Sequence, residues 1–316
     1  MSKIDILMAT YNGQRFIAEQ LDSIFSQTFQ DFRLIVRDDG STDNTGAILE
    51  EYSAKYPGRI KIVHDEAVCK SATKNFFELL KHAEADYVMF CDQDDVWMKY
   101  KIQITLDYMK ETERKNPGKP VLIFTGLQVV DAELKSMDLL LGLQNVIEKL
   151  YTFHELLSCN CAAGCTQMLN RGAYENLGEY QEGITLHDWW TTLYASAFGV
   201  IERVPMALML YRQHGDNVVG ARLKEVKLHL RILEYIKHPL ELASKTNAGR
   251  RTTIEIFHKR FGNLLSPEKR DEIEGYLKLF SKNFFERYKA MMRFKDLYLY
   301  ILHPLVLVRF IFLGDK

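Results

Sequence analysis

Cysteine is scarce in this sequence, and its count is odd. The chain has 5 cysteines among 316 residues, which argues against a framework of disulfide bonds and for a reducing compartment. Three of them, Cys159, Cys161 and Cys165, stand close together with a spacing that fits no zinc site. Small residues that pack near a binding loop are the better interpretation of this run.

The sequence also lacks a long uninterrupted apolar run. Asp5 and its polar neighbours break the N-terminus, so we expect no signal peptide. The most apolar stretch, residues 297–313, contains His303, Pro304 and Arg309 and is too short and too interrupted for a transmembrane helix. Two interpretations remain. The stretch either lies in a membrane interface or packs on the protein's own domain or in an oligomer.

Neither sign of charge dominates the whole chain, but the two signs are separated along it. The net charge is −1, yet residues 1–221 contain 21 Lys and Arg against 31 Asp and Glu, whereas residues 222–316 contain 20 against 11. The basic part is predicted to form helices over Leu223–Lys237, Ala248–Leu264 and Ser266–Arg293. Such helices suit an anionic membrane surface, an acidic partner or another subunit. We expect no nucleic-acid partner.

Three apolar segments in the N-terminal part each end in a polar turn that a helical pattern follows. They are Ile4–Met8, Phe32–Arg37 and Tyr87–Phe90. The repeated order of strand, turn and helix predicts an α/β fold with a parallel sheet, and the polar turns lie at the edge where such sheets bind ligands.

The third turn is the most acidic, because Asp92, Asp94 and Asp95 follow the strand directly. Carboxylates in one small volume repel one another unless their charge is neutralised, and a hard divalent cation with a diphosphate is the usual neutraliser. The alternative is a helix N-cap with acidic first-turn residues. A second acidic turn, Asp38–Asp43, favours the ligand site.

The ordered set of turns resembles glycosyltransferase family 2. The resemblance rests on Ala9–Gly13, Arg37–Asp43 and Asp92–Asp95. It implies the GT-A fold, a Rossmann-like mixed sheet flanked by helices, with nucleotide-sugar donors and inversion of the anomeric centre. It ends near Gly220. We therefore expect a catalytic domain over residues 1–220 and a helical domain over residues 221–316 for the acceptor side, oligomerisation or membrane association.

The resemblance also implies a divalent-metal site. Asp94 is the implied direct ligand, with Asp92 beside it on the metal or the donor ribose. His214 is similar to a third ligand that the family often places on a loop over the donor, although a lone histidine is usually structural. Because a neutral imidazole suits manganese better than magnesium, we expect Mn²⁺ rather than Mg²⁺.

Four further residues are assigned by resemblance to the binding of the nucleotide-sugar donor. Asp39 resembles the residue that recognises the nucleotide base, and Thr10 and Tyr11 resemble those that line the base and ribose. Arg212 is a candidate for the diphosphate.

An inverting displacement needs a base for the proton of the acceptor hydroxyl. Asp188 stands where the family has its acidic base, and a helix cap is the alternative. His187 departs from the family pattern, so its role stays open. Trp189 and Trp190 are expected to stack on an acceptor sugar.

The same motifs resemble those of bacterial rhamnosyltransferases of surface-polysaccharide assembly. They favour dTDP-L-rhamnose as donor and a glycan on a lipid carrier or protein as acceptor. The alternatives are a UDP-GlcNAc, UDP-glucose or UDP-galactose transferase that extends such a glycan, and a catalytically idle donor-binding or scaffolding subunit. We expect a cytoplasmic homo-oligomer formed through the C-terminal helices, with peripheral contact to the inner face of the cell membrane as one option.

Overall fold

The computed structural model describes residues 3–65, 68–137, 152–215, 239–281 and 283–294, with the backbone alone for residues 239–247. The strands are β1 (Ile4–Thr10), β2 (Phe32–Asp38), β3 (Ile60–Val63), β4 (Tyr87–Asp92), β5 (Val96–Trp97), β6 (Val121–Val130), β7 (Gln167–Asn170) and β8 (Val200–Arg212). The helices are α1 (Ile17–Phe25), α2 (Thr45–Lys55), α3 (Ala72–Leu80), α4 (Lys101–Lys115), α5 (Phe153–Leu156), α6 (Arg171–Tyr174), α7 (His187–Phe198), α8 (Pro239–Phe261), α9 (Pro267–Leu277) and α10 (Phe284–Arg293).

Within these residues the strands form one eight-stranded mixed sheet in the order β3-β2-β1-β4-β7-β6-β8-β5. Strands β3, β2, β1 and β4 are parallel to one another, whereas β7 is antiparallel to both β4 and β6. Thr10 pairs with Asp38 and Ala9 pairs with Asp92. The carboxyl ends of β1, β2 and β4 therefore lie at one edge. The predicted α/β fold, with a mixed sheet flanked by helices, is confirmed.

The central strands are apolar because they are covered on both faces. Ile6, Leu7 and Met8 follow one another in β1 and are all fully buried, which is typical of a strand inside a doubly covered sheet. Helix α1 buries Ile17 and Leu21 at helical spacing. These contacts hold the polar edge on a rigid core.

The chain divides into two compact units. The first contains residues 1–144, 160–180 and 186–214, and the second contains residues 145–159, 181–185 and 215–316. The predicted boundary at residue 220 placed the segments 145–159 and 181–185 in the catalytic domain, whereas in the structure they group with the second unit. The roles assigned to the two domains stay predictions.

The second unit has its own small core. Phe153 of α5 lies 6.2 Å from Phe257 between ring centroids, and His154 stacks on Phe294 at 4.5 Å. Thr253 Oγ1 donates to the carbonyl of Gly183 at 2.9 Å. These contacts explain why short segments from earlier in the chain group with α8, α9 and α10.

Two helix predictions need comment. The single helix predicted over Ser266–Arg293 is wrong, because α9 ends at Leu277 and Asn283 caps a new helix by accepting from the backbone N–H of Phe285 at 2.9 Å. The helix predicted over 223–237 and the apolar stretch 297–313 lie outside the described residues. In the part of the chain that the structure describes, no helix is long and apolar enough to cross a membrane.

Candidate active site

The turns after β1 and β4 are joined to each other at the polar edge. Gln93 Nε2 donates to the carbonyl of Tyr11 at 2.9 Å, and the Tyr11 N–H donates to Gln93 Oε1 at 2.9 Å. A Cβ at Gly13 would lie 2.3 Å from Gln93 Oε1, so a side chain at this position would displace Gln93 from its hydrogen bonds to Tyr11. Tyr11 itself remains exposed.

Asp94 and His214 come together from distant parts of the sequence. The Asp94 Oδ2 atom lies 2.8 Å from His214 Nε2, and the His214 ring, which is buried, lies against Phe16 with 4.7 Å between centroids. The structure therefore unites two of the three residues that the sequence predicts as metal ligands.

Asp92 and Asp95 complete the acidic turn. Burial, followed by the charges of Asp94 and Asp188, raises the pKa of Asp92 to about 7. Asp95 is fully buried, its Oδ1 accepts from the N–H of Arg212 at 3.1 Å, and its Oδ2 has no hydrogen-bond partner among the described residues. The helix-cap alternative for the acidic turn is wrong, because β5 follows it and α4 starts only at Lys101.

The acidic turn fits a hard divalent cation. Ligand atoms of Asp92, Asp95 and Cys165 lie within 4.8 Å of one another. Burial raises the pKa of the Cys165 thiol well above its usual value, and a protonated thiol is a poor ligand. Asp95 Oδ2 has no hydrogen-bond partner among the described residues, and burial raises the pKa of Asp92, so a bound cation would stabilise both carboxylates. Asp94 and His214 lie outside this group, but their oxygen and imidazole donors suit such an ion. The assignment of Asp92, Asp94 and His214 as its ligands stays a prediction.

Arg212 has a structural role that the sequence analysis did not predict. Its side chain is 3% exposed, and its guanidinium donates to the carbonyl of Asp94 at 2.8 Å, to the carbonyl of Ala132 at 2.6 Å and to the carboxylate of Glu19. These three bonds engage three of the five guanidinium N–H groups and hold the backbone that carries Asp94. Binding of the donor diphosphate by Arg212 stays a prediction.

Lys101 is a buried cation that the sequence analysis did not consider. It is fully buried at the start of α4, where its ammonium donates to the carbonyl of Cys165 and lies 4.1 Å from the centroid of the Trp97 ring. Burial lowers the pKa of Lys101, while the charges of Asp95 and Asp92 oppose this shift. Its signal in the sequence was helical spacing with the other buried positions of α4, which are Ile102, Thr105, Leu106, Met109 and Thr112.

Asp39 lies at the end of β2 in a buried polar network. Its Oδ1 accepts from the N–H of Cys69, and Arg37 Nη1 lies 3.4 Å away. Arg37 is fully buried and also donates to Asp65 at 2.7 Å and to Asn75 at 3.0 Å. The network fixes Asp39 at the edge where the nucleotide base is predicted to bind.

Thr10 supports this edge through its side chain. Its Oγ1 donates to Asp38 Oδ1 at 2.7 Å, and its carbonyl accepts from the N–H of Asp39 at 2.9 Å. Thr10 is buried, and its hydrogen bond to the Asp39 backbone helps to fix the position of Asp39. Any direct contact of Thr10 or Tyr11 with a base or ribose stays a prediction.

Asp188 has the properties that a general base needs. Its Oδ2 accepts from the N–H of Gly164 at 3.0 Å, and burial raises its pKa to about 6. Leu186 is the N-cap residue of α7, and Asp188 in the first turn accepts from the N–H of Trp189 at 2.7 Å. The helix-end role therefore stays an alternative to the role of base. The charge of Asp188 is close enough to raise the pKa of Asp92.

His187 is enclosed by aromatic rings. It stacks on Phe76 at 4.0 Å and meets Phe90 edge-on at 4.9 Å between centroids. Burial lowers its pKa to about 3, so the imidazole is neutral at physiological pH. Neither ring nitrogen has a hydrogen-bond partner among the residues that the structure describes. His187 thus replaces the family's acidic residue with an uncharged side chain.

The two tryptophans of this segment are not available to an acceptor. Trp190 is fully buried and its Nε1–H donates to the carbonyl of Leu177 at 3.0 Å, while Trp189 is 3% exposed. The prediction that they stack on a sugar is wrong, because they lie on the buried side of α7. Two tryptophans beside a candidate base can either pack in the core or bind a sugar, and the sequence alone did not distinguish these two roles.

The sequence comparisons agree with this geometry. The model of the family described as glycosyl transferase family 2 matches residues 5–178. The dTDP-rhamnosyl transferase RfbG of Shigella flexneri is 33% identical over 234 residues, which are 68% of this chain and 74% of that protein. The UDP-Glc:alpha-D-GlcNAc-diphosphoundecaprenol beta-1,3-glucosyltransferase WfgD of Escherichia coli is 28% identical over 242 residues, covering 75% of this chain and 88% of that one.

Two solved structures share the fold. S. aureus TarS in complex with UDP is 17% identical with a TM-score of 0.55, covering 93% of this chain and 90% of that chain. The mannosyltransferase PcManGT from Pyrobaculum calidifontis, in complex with GDP-Man and Mn²⁺, is 15% identical with a TM-score of 0.57, covering 97% and 78%. The fold of this chain is thus one that is known from experimental structures.

Proposed function

Since the chain belongs to glycosyltransferase family 2, we propose that it transfers L-rhamnose from dTDP-L-rhamnose to a hydroxyl group of a growing bacterial surface glycan. It is a glycosyltransferase of the GT-A fold that uses a nucleotide-sugar donor. The similarity to the dTDP-rhamnosyl transferase RfbG supports rhamnose as the sugar.

One observation carries the chemical part of the proposal. The Asp188 carboxylate is close enough to Asp92 to raise its pKa, although the two come from α7 and β4. A leaving diphosphate held at Asp92, Asp94 and His214 would then lie close to a base. An inverting transfer needs the leaving group and the base at one centre, on opposite faces of the sugar.

The proposed reaction is a single displacement. Asp188 takes the proton of the acceptor hydroxyl, the acceptor oxygen forms a bond to the anomeric carbon, and the bond from that carbon to the diphosphate oxygen breaks. The configuration inverts. When bound, a divalent cation stabilises the negative charge that develops on the diphosphate. We infer that Mn²⁺ serves better than Mg²⁺, because His214 contributes an imidazole.

A second candidate donor is a UDP-hexose. The relative WfgD is named as a UDP-Glc transferase that acts on a GlcNAc-diphosphoundecaprenol, and this supports UDP-glucose, UDP-GlcNAc or UDP-galactose as donor and a lipid-carried glycan as acceptor. A catalytically idle subunit is the remaining alternative. The joint presence of Asp39, Asp92, Asp94, Asp188 and His214 argues against it.

Thermal shift with nucleotide sugars distinguishes the three candidates. With Mn²⁺ present, dTDP-L-rhamnose should raise the melting temperature more than the UDP-hexoses do, because a ligand that binds only the native state stabilises it in proportion to occupancy. A larger shift with a UDP-hexose favours the second candidate. An idle subunit would show no hydrolysis of any bound donor, whether or not a chelator is added.

We also propose that the basic part of the chain assembles a homo-oligomer and contributes to the acceptor side, at the cytoplasmic face of the membrane. The opposite charges of residues 1–221 and 222–316 support mutual attraction. Light scattering on full-length protein, with salt and detergent varied, tests assembly. A monomer under every condition would contradict it.

A further inference from the structure

The Lys101 ammonium has three different partners. It donates to the carbonyl of Cys165 and to the Met209 sulfur at 3.2 Å, and it lies 4.1 Å from the centroid of the Trp97 ring. The side chain is fully buried, and burial of a charge is unfavourable unless hydrogen bonds and opposite charges compensate it. An apolar side chain of similar length would fill the same space without that cost, so the contacts of the ammonium are the feature to explain.

One of these contacts leads to the candidate base. Cys165 lies in the short 3-10 helix Gly164–Thr166, which we call the 164–166 turn. The Gly164 N–H, at the start of this turn, donates to Asp188 Oδ2 at 3.0 Å. The same turn thus contacts Lys101 through one carbonyl and Asp188 through the neighbouring N–H.

The 164–166 turn is closed by its own hydrogen bonds. The N–H and the Oγ1 of Thr166 both donate to the carbonyl of Ala163, at 2.9 and 2.6 Å, and Cys165 and Thr166 are buried. A turn that is closed in this way moves as a unit, so a shift of the Cys165 carbonyl also shifts the Gly164 N–H. Displacement of a catalytic group by about 1 Å can cost about a hundredfold in rate.

The other contacts of Lys101 lead to the acidic turn. Lys101 is the first residue of α4, and Trp97 belongs to β5, the strand that directly follows Asp95. Burial lowers the pKa of Lys101, and the charges of Asp95 and Asp92 oppose this shift, so both carboxylates are close enough to act on the ammonium. Lys101 therefore connects the segment of the acidic turn with the segment that holds Asp188.

We propose that Lys101 is a positioning residue of the transfer reaction. Through the Cys165 carbonyl it fixes the Gly164 N–H, and through that N–H it fixes the Asp188 carboxylate relative to the acidic turn. The inference rests on the proposed role of Asp188 as the base. Because Lys101 is fully buried, it acts on the geometry of the base and not by contact with the donor.

Lys101→Met tests the inference, because methionine has a similar length but neither the charge nor an N–H group in its side chain. Turnover is measured as release of the nucleoside diphosphate from dTDP-L-rhamnose, and in parallel from UDP-glucose, with Mn²⁺ present and water as the acceptor. The kcat should fall by about tenfold to a hundredfold, whereas thermal shift should show an unchanged affinity for the donor. A wild-type kcat, or a loss that follows donor affinity, would overturn the inference.

A double-mutant cycle with Asp188→Asn distinguishes positioning from a general loss of structure. If Lys101 acts through Asp188, Lys101→Met should lower kcat by less than about twofold in the Asp188→Asn background, because the base is already lost. The same factor in both backgrounds would show a merely structural role and overturn the inference. Wild-type kcat of Asp188→Asn would contradict the proposed base itself, whereas wild-type kcat of Lys101→Met beside an inactive Asp188→Asn overturns the inference alone.

Two further variants control for stability. Met109→Ala removes a fully buried side chain from the same helix, so it should lower the melting temperature but leave kcat unchanged. Lys101→Met combined with Asp95→Asn removes buried charge of both signs and should melt at a higher temperature than Lys101→Met alone. Its kcat should stay about tenfold or more below that of Asp95→Asn, and equal kcat values of these two variants would overturn the inference.

Discussion

The Asp94 carboxylate and the His214 imidazole lie 2.8 Å apart although 120 residues separate them in the chain. The contact is made because β8 runs beside β6 and delivers His214 to the acidic turn after β4. It is the structural basis of the proposed metal site, since two donors of different chemistry face each other at the edge of the sheet.

Replacement of Asp94 tests the metal site directly. Asp94→Asn should leave the melting temperature close to that of the wild type but lower turnover by about a hundredfold or more, because a neutral amide is a weaker ligand for a hard cation. Turnover is measured in saturating Mn²⁺. Asp107→Asn is the control, since Asp107 is exposed and bonds to Gln103 on the same helix. Near-normal turnover of Asp94→Asn would contradict the site.

The raised pKa of Asp188 predicts the pH dependence of transfer. A general base acts only when it is deprotonated, so kcat/KM should fall as the pH drops below about 6, the pKa that burial imposes on Asp188. Asp188→Asn should lower kcat by about a hundredfold and leave the donor affinity unchanged. Loss of donor affinity with normal turnover per bound donor would assign Asp188 to the donor instead.

Gly164 should be intolerant of a side chain. An added Cβ would lie 2.4 Å from His187 Nε2 and 3.4 Å from Asp188 Cβ, and the Gly164 N–H orients the Asp188 carboxylate. Gly164→Ala should therefore reduce kcat by about tenfold to a hundredfold through misplacement of the base. The second change His187→Ala should restore part of the loss by removing the clash. Gly46→Ala, where a Cβ meets no atom within 4 Å, is the control.

Arg212→Lys separates a structural role from donor binding. Because the guanidinium donates to Asp94, Ala132 and Glu19, the variant should lose about 1–3 kcal/mol of unfolding free energy and bind Mn²⁺ more weakly. Arg114→Lys on the surface of α4 should cost less than about 0.5 kcal/mol. Unchanged stability with a raised KM for the donor would support the prediction that Arg212 binds the donor diphosphate.

Lys101→Met should destabilise the protein in a pH-dependent way. The buried ammonium is close enough to Asp95 and Asp92 for their charges to act on its pKa, and removal of one member of a buried charge set leaves the others uncompensated, at a cost of about 3–5 kcal/mol. The loss should be largest near about pH 7.5, between the pKa of Asp92, about 7, and that of Lys101, which burial lowers to about 8, because both groups carry charge there. It should be smaller near about pH 5, where Asp92 is protonated. Urea unfolding at both pH values measures it, with Lys99→Met as the exposed control. Equal losses at the two pH values would exclude a charge effect.

Much of the ligand edge followed from local patterns. The three apolar strands and the polar turns after them were predicted, because apolar runs and polar turns are local signals that survive in the folded state. The helix expected directly after the third turn was not found there, because β5 comes before α4. The acidic turn and the position of Asp188 also came from short motifs. The sequence was less informative where the partners of a side chain are distant in the chain. Nothing near Arg212 in sequence indicates that it donates to Glu19 and Ala132. The tryptophans were assigned to an acceptor, although helix α7 is buried on nearly all sides.

The sequence by itself determined the fold class, the family and the residues that end β1, β2 and β4, because these depend on the alternation of apolar and polar residues along the chain. Only the tertiary structure decided which charges meet. It buried Lys101 against Cys165 and Trp97, joined His214 to Asp94, and enclosed His187 between Phe76 and Phe90. Burial and charge proximity are properties of neighbours in space, and they set pKa values, metal affinity and exposure that no spacing along the chain can supply.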